Sequence, residues 1–67
     1  MTRTYIVEGT KNERSVRKIE RALYRIPHIS YEINFAKNTV VVHFGKMVDD
    51  DKVISAISRA GYRAMRL

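Results

Sequence analysis

Side chains that can act as nucleophiles or bases are few in this chain and far apart. The sequence holds no cysteine and two histidines, His28 and His43, and its serines lie at positions 15, 30, 55 and 58. Nucleophilic catalysis needs a nucleophile, a base and a group that orients the base, all within hydrogen-bond reach. No strand or helix spacing brings such a set together. The sequence therefore predicts no catalytic residue and no enzyme.

The acidic run Asp49, Asp50 and Asp51 is a second candidate for chemistry, because carboxylate oxygens bind Mg²⁺ and Ca²⁺. A calcium loop also needs a glycine and a distal glutamate at fixed spacing, and these do not follow here. The run does precede a helical pattern, where an aspartate caps free N–H groups and further aspartates complement the helix dipole. We therefore interpret the run as a helix start and predict no metal site.

Positive charge dominates the surface. The chain has 13 lysines and arginines against 7 aspartates and glutamates, a formal net charge of +6. Several cations recur at the helical spacing i, i+3, i+4, i+7 and i+11 and form what we call the basic stripe: Arg14, Arg17, Lys18, Arg21 and Arg25. Such a stripe either docks onto an acidic protein surface or is a solvated helix face supported by pairs such as Arg17–Glu20. We predict docking, with a basic nucleic-acid-binding domain as the alternative.

The patterns around these residues predict two helices and four strands. Residues 29–35 alternate apolar and polar side chains, which is typical of a strand, whereas Val16, Ile19 and Leu23 recur at helical spacing. By the same rules the strands cover residues 3–8, 29–35, 39–44 and 62–67, and the helices cover residues 13–25 and 49–60.

The ends of the helices and the order of the elements predict the fold. Asn12 and Asp49 are expected N-caps, and Gly61 is expected to end the second helix in a left-handed conformation. The order β-α-β-β-α-β predicts a ferredoxin-like α+β fold over residues 1–67 as a single domain. Right-handed crossovers give a four-stranded antiparallel sheet of order 4-1-3-2 with both helices on one face.

The RNA-recognition motif shares this element order and stacks bases on aromatic residues of its open sheet face. The predicted open-face residues here are Thr4, Ile6, Glu8, Thr39, Val41 and His43, and none is aromatic. The aromatic residues Tyr5, Tyr31, Phe35 and Phe44 are instead predicted to face the helices and join the core. This pattern disfavours base stacking and leaves non-specific backbone binding as the nucleic-acid alternative.

The lack of cysteine excludes disulfides and thiolate metal sites, so a fold of this length depends on hydrophobic packing. The longest apolar runs, such as residues 40–42, are far too short to span a bilayer. Residues 1–4 lack the apolar stretch of a signal peptide. We therefore expect a cytoplasmic protein that does not bind membranes and is a monomer or weak dimer.

Several short segments, in order and at the right spacing, carry a family resemblance. They are Val7-Glu8-Gly9, Ile26-Pro27, residues 29–35, residues 38–42, Ile57, Ala60 and Gly61-Tyr62. In these segments the chain resembles the heavy-metal-associated (HMA) domain of copper chaperones and of copper-transporting P-type ATPases, from about Thr4 to Ala64. The resemblance implies a role in cytoplasmic heavy-metal handling, with transfer of the ion to a partner HMA domain.

The metal motif of that family, Gly-Met-x-Cys-x-x-Cys, is altered in this chain. Thr10 stands at the Met position, Asn12 and Ser15 stand at the two Cys positions, and Tyr62 matches the tyrosine beside the metal. Two thiolates three residues apart at a helix N-terminus hold one soft ion, whereas an amide and a hydroxyl are hard, neutral donors. The resemblance therefore implies a family that binds Cu(I) or another soft metal, and a member with no metal and no cofactor.

The replacements preserve shape, because Asn is a strong N-cap and Ser is nearly isosteric with Cys. Two origins fit: a natural degenerate paralogue that kept the fold and docking face, or an engineered Cys-free variant. The predicted function is a copper-chaperone-like domain without its metal ligands that acts as a protein-docking module or a stable scaffold. Its expected partner is an acidic protein surface, such as that of a partner HMA domain.

Overall fold

Four antiparallel strands form one sheet in a computed structural model that describes all 67 residues. The elements are β1 (Thr2–Glu8), α1 (Glu13–Tyr24), β2 (Ile29–Asn34), β3 (Thr39–Phe44), α2 (Asp50–Arg59) and β4 (Arg63–Arg66). The strands lie side by side in the order β2-β3-β1-β4, which is the predicted order seen from the other edge. Every strand pairing is antiparallel. The predicted ferredoxin-like α+β fold is therefore confirmed.

Alternate residues of the central strands point toward the helices and form the core. The buried cluster consists of Tyr5, Val7, Ile19, Leu23, Val40, Val42, Phe44, Val53, Ile57 and Ala64, with Tyr31 packed at its edge. Residues between them, such as Thr4, Ile6 and Val41, are partly exposed, as predicted for the open face. The open face of β1 and β3 thus carries no aromatic side chain. Both helices are held to the sheet by apolar burial, the dominant driving force for folding.

Both predicted N-caps are confirmed. The Asn12 Oδ1 atom accepts a hydrogen bond from the Ser15 N–H at 3.2 Å, and Asp49 Oδ1 accepts from the Lys52 N–H at 3.1 Å. Gly61 follows α2 with a φ of 100°, which also confirms the predicted helix end. Several other predicted ends differ from the observed ones by a single residue, as is usual for fraying ends. Neither helix has the length and apolar composition needed to cross a bilayer.

Phe35 corrects the predicted end of the second strand. β2 ends at Asn34, and Phe35 enters the hairpin turn with 41% of its surface exposed. Asn34 Oδ1 accepts a hydrogen bond from the Lys37 N–H at 3.1 Å, and Asn38 takes a φ of 54°. Since this turn redirects the chain directly after Asn34, the strand alternation stops there. The prediction that Phe35 joins the core is therefore wrong.

A hydrogen-bonded cluster ties the N-terminus of α2 to the sheet. Tyr5 is fully buried, and its hydroxyl donates to Asp50 Oδ1 at 2.6 Å. Asp50 Oδ2 accepts from Arg66 Nη1 at 3.3 Å, and Arg3 Nε lies 4.0 Å from Asp50 Oδ1. Burial, followed by the hydrogen bond to Asp50 and its negative charge, raises the pKa of Tyr5 well above the usual value. Asp50 therefore links α2 to both β1 and β4 in addition to complementing the helix dipole.

Candidate functional site

A short loop, residues 9–12, connects β1 to α1 at the position of the altered metal motif. Gly9 starts the loop with a φ of 98°, a conformation that other residues rarely adopt. The ring of Tyr62, which follows α2, packs against Gly9. A Cβ atom added to Gly9 would lie only 3.3 Å from Tyr62 Cδ1. The first residue of the loop is therefore constrained both by its backbone conformation and by an aromatic ring.

Replacing Gly9 with alanine should destabilise the protein more than the same change at Gly61. The two glycines have nearly equal φ values of 98° and 100°, so each alanine meets similar backbone strain, about 1–2 kcal/mol. Only the alanine at position 9 also meets the Tyr62 ring, because nothing lies within 4 Å of a Cβ at Gly61. Urea denaturation of the two variants measures the difference. Equal losses of unfolding free energy would contradict the steric role of Tyr62.

The side chains of Asn12 and Ser15 use their oxygens to hold the start of α1. The Asn12 side chain accepts the cap bond from the Ser15 N–H. The Asn12 backbone carbonyl accepts further bonds from the N–H groups of Ser15 at 3.1 Å and Val16 at 3.4 Å. Ser15 is only 6% exposed, and its Oγ accepts from the Lys11 N–H at 3.3 Å. The two side chains thus satisfy N–H groups on both sides of the helix start, in the manner of a capping box.

Thr10 connects the loop of residues 9–12 to the turn between β2 and β3 through a hydrogen bond. Its Oγ1 donates to Asn38 Oδ1 at 2.5 Å, and the Asn38 carbonyl accepts from the Val7 N–H at 2.8 Å. The positive φ of Asn38 is one that asparagine tolerates better than most residues. No local sequence pattern predicts this contact, because Thr10 and Asn38 are 28 residues apart. The sequence alone assigns Asn38 only to the hairpin between β2 and β3. The structure shows that it also contacts the loop of residues 9–12.

The donors of this loop do not fit a soft metal ion. Cu(I) prefers thiolate and thioether sulfur, whereas Asn12 and Ser15 offer an amide and a hydroxyl oxygen. Both oxygens already accept backbone hydrogen bonds. Elsewhere in the chain, no three His, Cys, Asp or Glu side chains lie together as a metal site. His28 is exposed in the turn before β2, and His43 lies beside Thr2 and Glu32.

The basic stripe lies along the solvent side of α1, and all of its residues are exposed. From Arg14 in the first turn to Arg25 at the C-cap it extends roughly 16 Å, at 1.5 Å per residue. The ion pairs of the molecule are Arg3–Asp50 and Arg66–Asp50, and His43 Nε2 lies 3.6 Å from Glu32 Oε1; none of these contacts includes a stripe residue. The Arg17–Glu20 pair predicted as support for a solvated helix is therefore not formed.

A groove between α1 and α2 brings part of the stripe next to further cations. The groove has a volume of about 540 Å³. Its α1 side is lined by Lys18, Arg21 and Arg25, and its α2 side by Lys52 and Arg59. Since β1 and β3 are antiparallel, the helices that follow them also run in opposite directions. Lys52 and Arg59, which sequence reasoning does not assign to a site, thus face the stripe across the groove.

Comparisons with known families and solved structures give domains of one fold. The sequence matches the heavy-metal-associated domain family over residues 4–63. The N-terminal domain of PacS from Synechocystis PCC6803 is 31% identical with a TM-score of 0.89, over 100% of this chain and 97% of that one. Apo-CopP from Helicobacter pylori is 27% identical with a TM-score of 0.83, over 97% and 100%. The CopZ metallochaperone shares the fold at 24% identity, with a TM-score of 0.87 over 97% and 100%. A comparison with curated proteins finds no significant match.

Proposed function

Because the chain belongs to the heavy-metal-associated domain family, we propose that it is a member without the family's metal cargo that acts by docking onto other proteins. The observation that carries the proposal is the engagement of Asn12 and Ser15, whose oxygens both accept backbone hydrogen bonds at the start of α1. The chain then acts as a single HMA domain with a binding role and no catalytic one. A natural paralogue and an engineered Cys-free scaffold both fit this proposal.

The loop has its own means of keeping its shape without a bound ion. In a domain that binds an ion here, the ion crosslinks two side chains of the loop. In this chain the Thr10–Asn38 hydrogen bond and the caps from Asn12 and Ser15 hold the same segment. Each such bond contributes a net of about 0.5–1.5 kcal/mol to stability. The loop is thus supported by these hydrogen bonds together with the Tyr62 ring on Gly9.

The basic stripe supports docking onto an acidic protein surface. Its exposed cations have no anionic partner within the chain, so they remain available to an external one. Charges of this kind speed the encounter of two proteins and lose their effect as salt screens them. We propose a partner HMA domain in the cytoplasm, since similar domains are described as a metallochaperone and as a copper-binding domain of a P-type ATPase.

Non-specific binding of a nucleic-acid backbone to the same stripe is the second candidate function. The net charge of +6 favours it, because phosphate contacts supply most of non-specific affinity. The open face of β1 and β3 offers no aromatic side chain on which a base can stack. The candidate is therefore restricted to backbone binding with a steep salt dependence.

One titration followed by amide chemical shifts separates these functions. The labelled protein receives, in separate experiments, Cu(I), Zn²⁺, a single HMA domain of net negative charge, and a short DNA duplex. We expect no metal-induced shifts at residues 12–15, and shifts along residues 14–25 with the acidic domain that disappear at high salt. A stoichiometric Cu(I) shift centred on Asn12 and Ser15 would overturn the proposal. Shifts along the stripe with DNA alone would favour the second candidate, and no response to any addition would leave only a scaffold.

Charge reversal on α1 should weaken docking to the acidic HMA domain. In Arg14→Glu/Arg17→Glu each reversed charge is worth up to about 1 kcal/mol, so the dissociation constant should rise about tenfold at low salt. Calorimetry measures the change. The control Lys37→Glu/Lys46→Glu alters net charge by the same amount at exposed positions outside the stripe. If both variants weaken binding equally, overall charge and not the stripe is responsible.

A further inference from the structure

The groove between α1 and α2 has cationic side chains on both sides and no anionic side chain. Lys18, Arg21 and Arg25 line one side, Lys52 and Arg59 line the other, and no aspartate or glutamate lines it. None of these cations takes part in an ion pair of the molecule. Their mutual repulsion is therefore not offset within the chain, and an anionic occupant would relieve it.

The floor of the groove is apolar and made of small side chains. It consists of Ala22 from α1 and Ala56 and Ala60 from α2, which are buried or half-buried, and Ile26 and Pro27 after α1 also line the groove. Alanines leave room for the backbone of another element to approach closely, whereas larger side chains would fill the space. The long stems of the flanking lysines and arginines can pack along such an element while their charged ends pair with it.

The length of the charged rows fits two turns of helix. Lys18 and Arg25 are seven residues apart on α1, and so are Lys52 and Arg59 on α2. Seven residues of helix span roughly 10 Å. An α-helix placed between the rows would present acidic residues on both of its flanks to these cations. Its small apolar stripe would meet the alanine floor, as in other helix-in-groove complexes.

A phosphate-bearing occupant fits the same groove less well. Protein sites for phosphate commonly supply backbone N–H groups or a helix N-terminus in addition to cations. The groove walls come from the second half of α1 and from along α2, where most backbone N–H groups are bonded within the helix. Its floor offers methyl groups and no donor. The charge of the groove suits any anion, but its apolar floor favours an acidic amphipathic helix.

We propose that the groove is a receptor for an acidic amphipathic helix of a partner protein, with small apolar residues on its inner face and acidic residues on both flanks. The proposal rests on the docking function above and makes it specific, because the groove shares Lys18, Arg21 and Arg25 with the basic stripe. It adds Lys52 and Arg59 of α2, which that function does not use. These two residues therefore provide the test.

The probe is a synthetic helical peptide of about 18 residues, long enough to hold some helix in water. It carries an alanine stripe flanked on both sides by glutamates. We expect micromolar binding, and a dissociation constant raised about tenfold by Lys52→Glu/Arg59→Glu. The control Lys37→Glu/Lys46→Glu should change it much less. An equal effect of both variants would overturn the proposal.

Two further measurements separate the helix from a simple polyanion. A second peptide keeps the glutamates but has glutamine in place of the alanine stripe, and it should bind at least about tenfold more weakly. The variant Ala22→Met fills the floor and should weaken the first peptide while leaving binding of a short single-stranded DNA unchanged. Two outcomes would show that the groove is a general polyanion site. In the first, the glutamine peptide binds as well as the first peptide. In the second, DNA binds more tightly than the peptide and displaces it from the wild type, but not from Lys52→Glu/Arg59→Glu.

Two pairs of variants distinguish a failure of the groove proposal from a failure of the docking function. Arg14 and Arg17 belong to the stripe but do not line the groove, whereas Lys52 and Arg59 line the groove but lie outside the stripe. If Arg14→Glu/Arg17→Glu weakens binding to the acidic HMA domain and Lys52→Glu/Arg59→Glu does not, the docking function is supported and the groove proposal fails. If neither pair affects any acidic partner, both proposals fail.

Discussion

The variant Asn12→Cys/Ser15→Cys is expected to bind Cu(I) tightly and with one-to-one stoichiometry, without a change of fold. Positions 12 and 15 are the N-cap and the third residue of α1, so two thiolates there lie one turn apart beside the free N–H groups. The positive end of the helix dipole lowers the pKa of such thiols and favours the ionised form that binds metal. Soft thiolates are also the ligands that Cu(I) selects.

The same substitutions should cost stability in the metal-free protein. Replacing Asn12 removes the cap bond to the Ser15 N–H, at about 1 kcal/mol. Replacing Ser15 weakens the bond that its Oγ accepts from the Lys11 N–H. Bound metal stabilises the folded state by about 4 kcal/mol when its free concentration is a thousand times the dissociation constant. Copper should therefore more than restore the loss, and raise Tm by roughly 15–30 °C.

Competition with a Cu(I) chelator measures the affinity, and thermal unfolding with and without Cu(I) measures the stabilisation. The matched control is Ser55→Cys/Ser58→Cys. It introduces two cysteines with the same spacing at exposed positions of α2 that lie beyond its first turn. Away from a helix N-terminus the thiols lack the dipole, so we expect clearly weaker binding. A variant with cysteines at 12 and 15 that folds but ignores Cu(I) would contradict the assignment of these positions as the altered ligands.

Sequence patterns predict most of the fold because they are local. The alternation of β2 and β3, the helical stripe of α1, and the caps Asn12 and Asp49 each depend on residues within one element. Crossover handedness then orders the strands without further information. Phe35 marks the limit of this reasoning. Its alternation with Ile33 predicts a buried strand residue, but the Asn34 side chain bonds the Lys37 N–H and turns the chain away.

The candidate site is less predictable because its contacts join distant segments. The altered ligand positions follow from the motif, and their capping role follows from residue type. Three contacts do not follow from the sequence: the Thr10–Asn38 bond, the Tyr62 ring on Gly9, and the position of Lys52 across the groove from the stripe. Lys52, Ala56 and Arg59 lie at spacings that place them on one side of α2. That regularity is visible in the sequence, but only the packed helices show which element it faces.

The start of α1 and the Tyr5 cluster at the start of α2 are built on similar principles. In both, polar side chains at the start of a helix accept hydrogen bonds that hold the helix end in place. Asn12 and Ser15 perform this at α1 with neutral groups, whereas Asp50 performs it at α2 with a charge held by Tyr5 and Arg66. Hydrogen bonds to charged groups are the stronger kind. The α2 end should therefore contribute more to stability than the loop.

Replacing Tyr5 with phenylalanine should lower the free energy of unfolding by about 1.5–3 kcal/mol, the range for a hydrogen bond to a charged partner. The ring still fills its place in the core, so the loss reports the bond to Asp50 Oδ1 and not a cavity. For a chain of this size the change lowers Tm by roughly 10 °C or more. The control is Tyr24→Phe, since Tyr24 is exposed on α1. Equal losses in the two variants would contradict a special role for the Tyr5 hydroxyl.

The same residue should make the protein sensitive to alkali. Burial and Asp50 raise the pKa of Tyr5 in the folded state, whereas in the unfolded chain it titrates near the usual value of about 10. Below that pH both states hold the proton and the stabilisation is complete. Above it the unfolded chain loses the proton first, so stability falls by up to about 1.4 kcal/mol per pH unit as pH rises toward the folded-state pKa. Urea denaturation between pH 8 and about 11.5 should show a steeper fall for wild type than for Tyr5→Phe, and parallel curves would exclude Tyr5 as the titrating group.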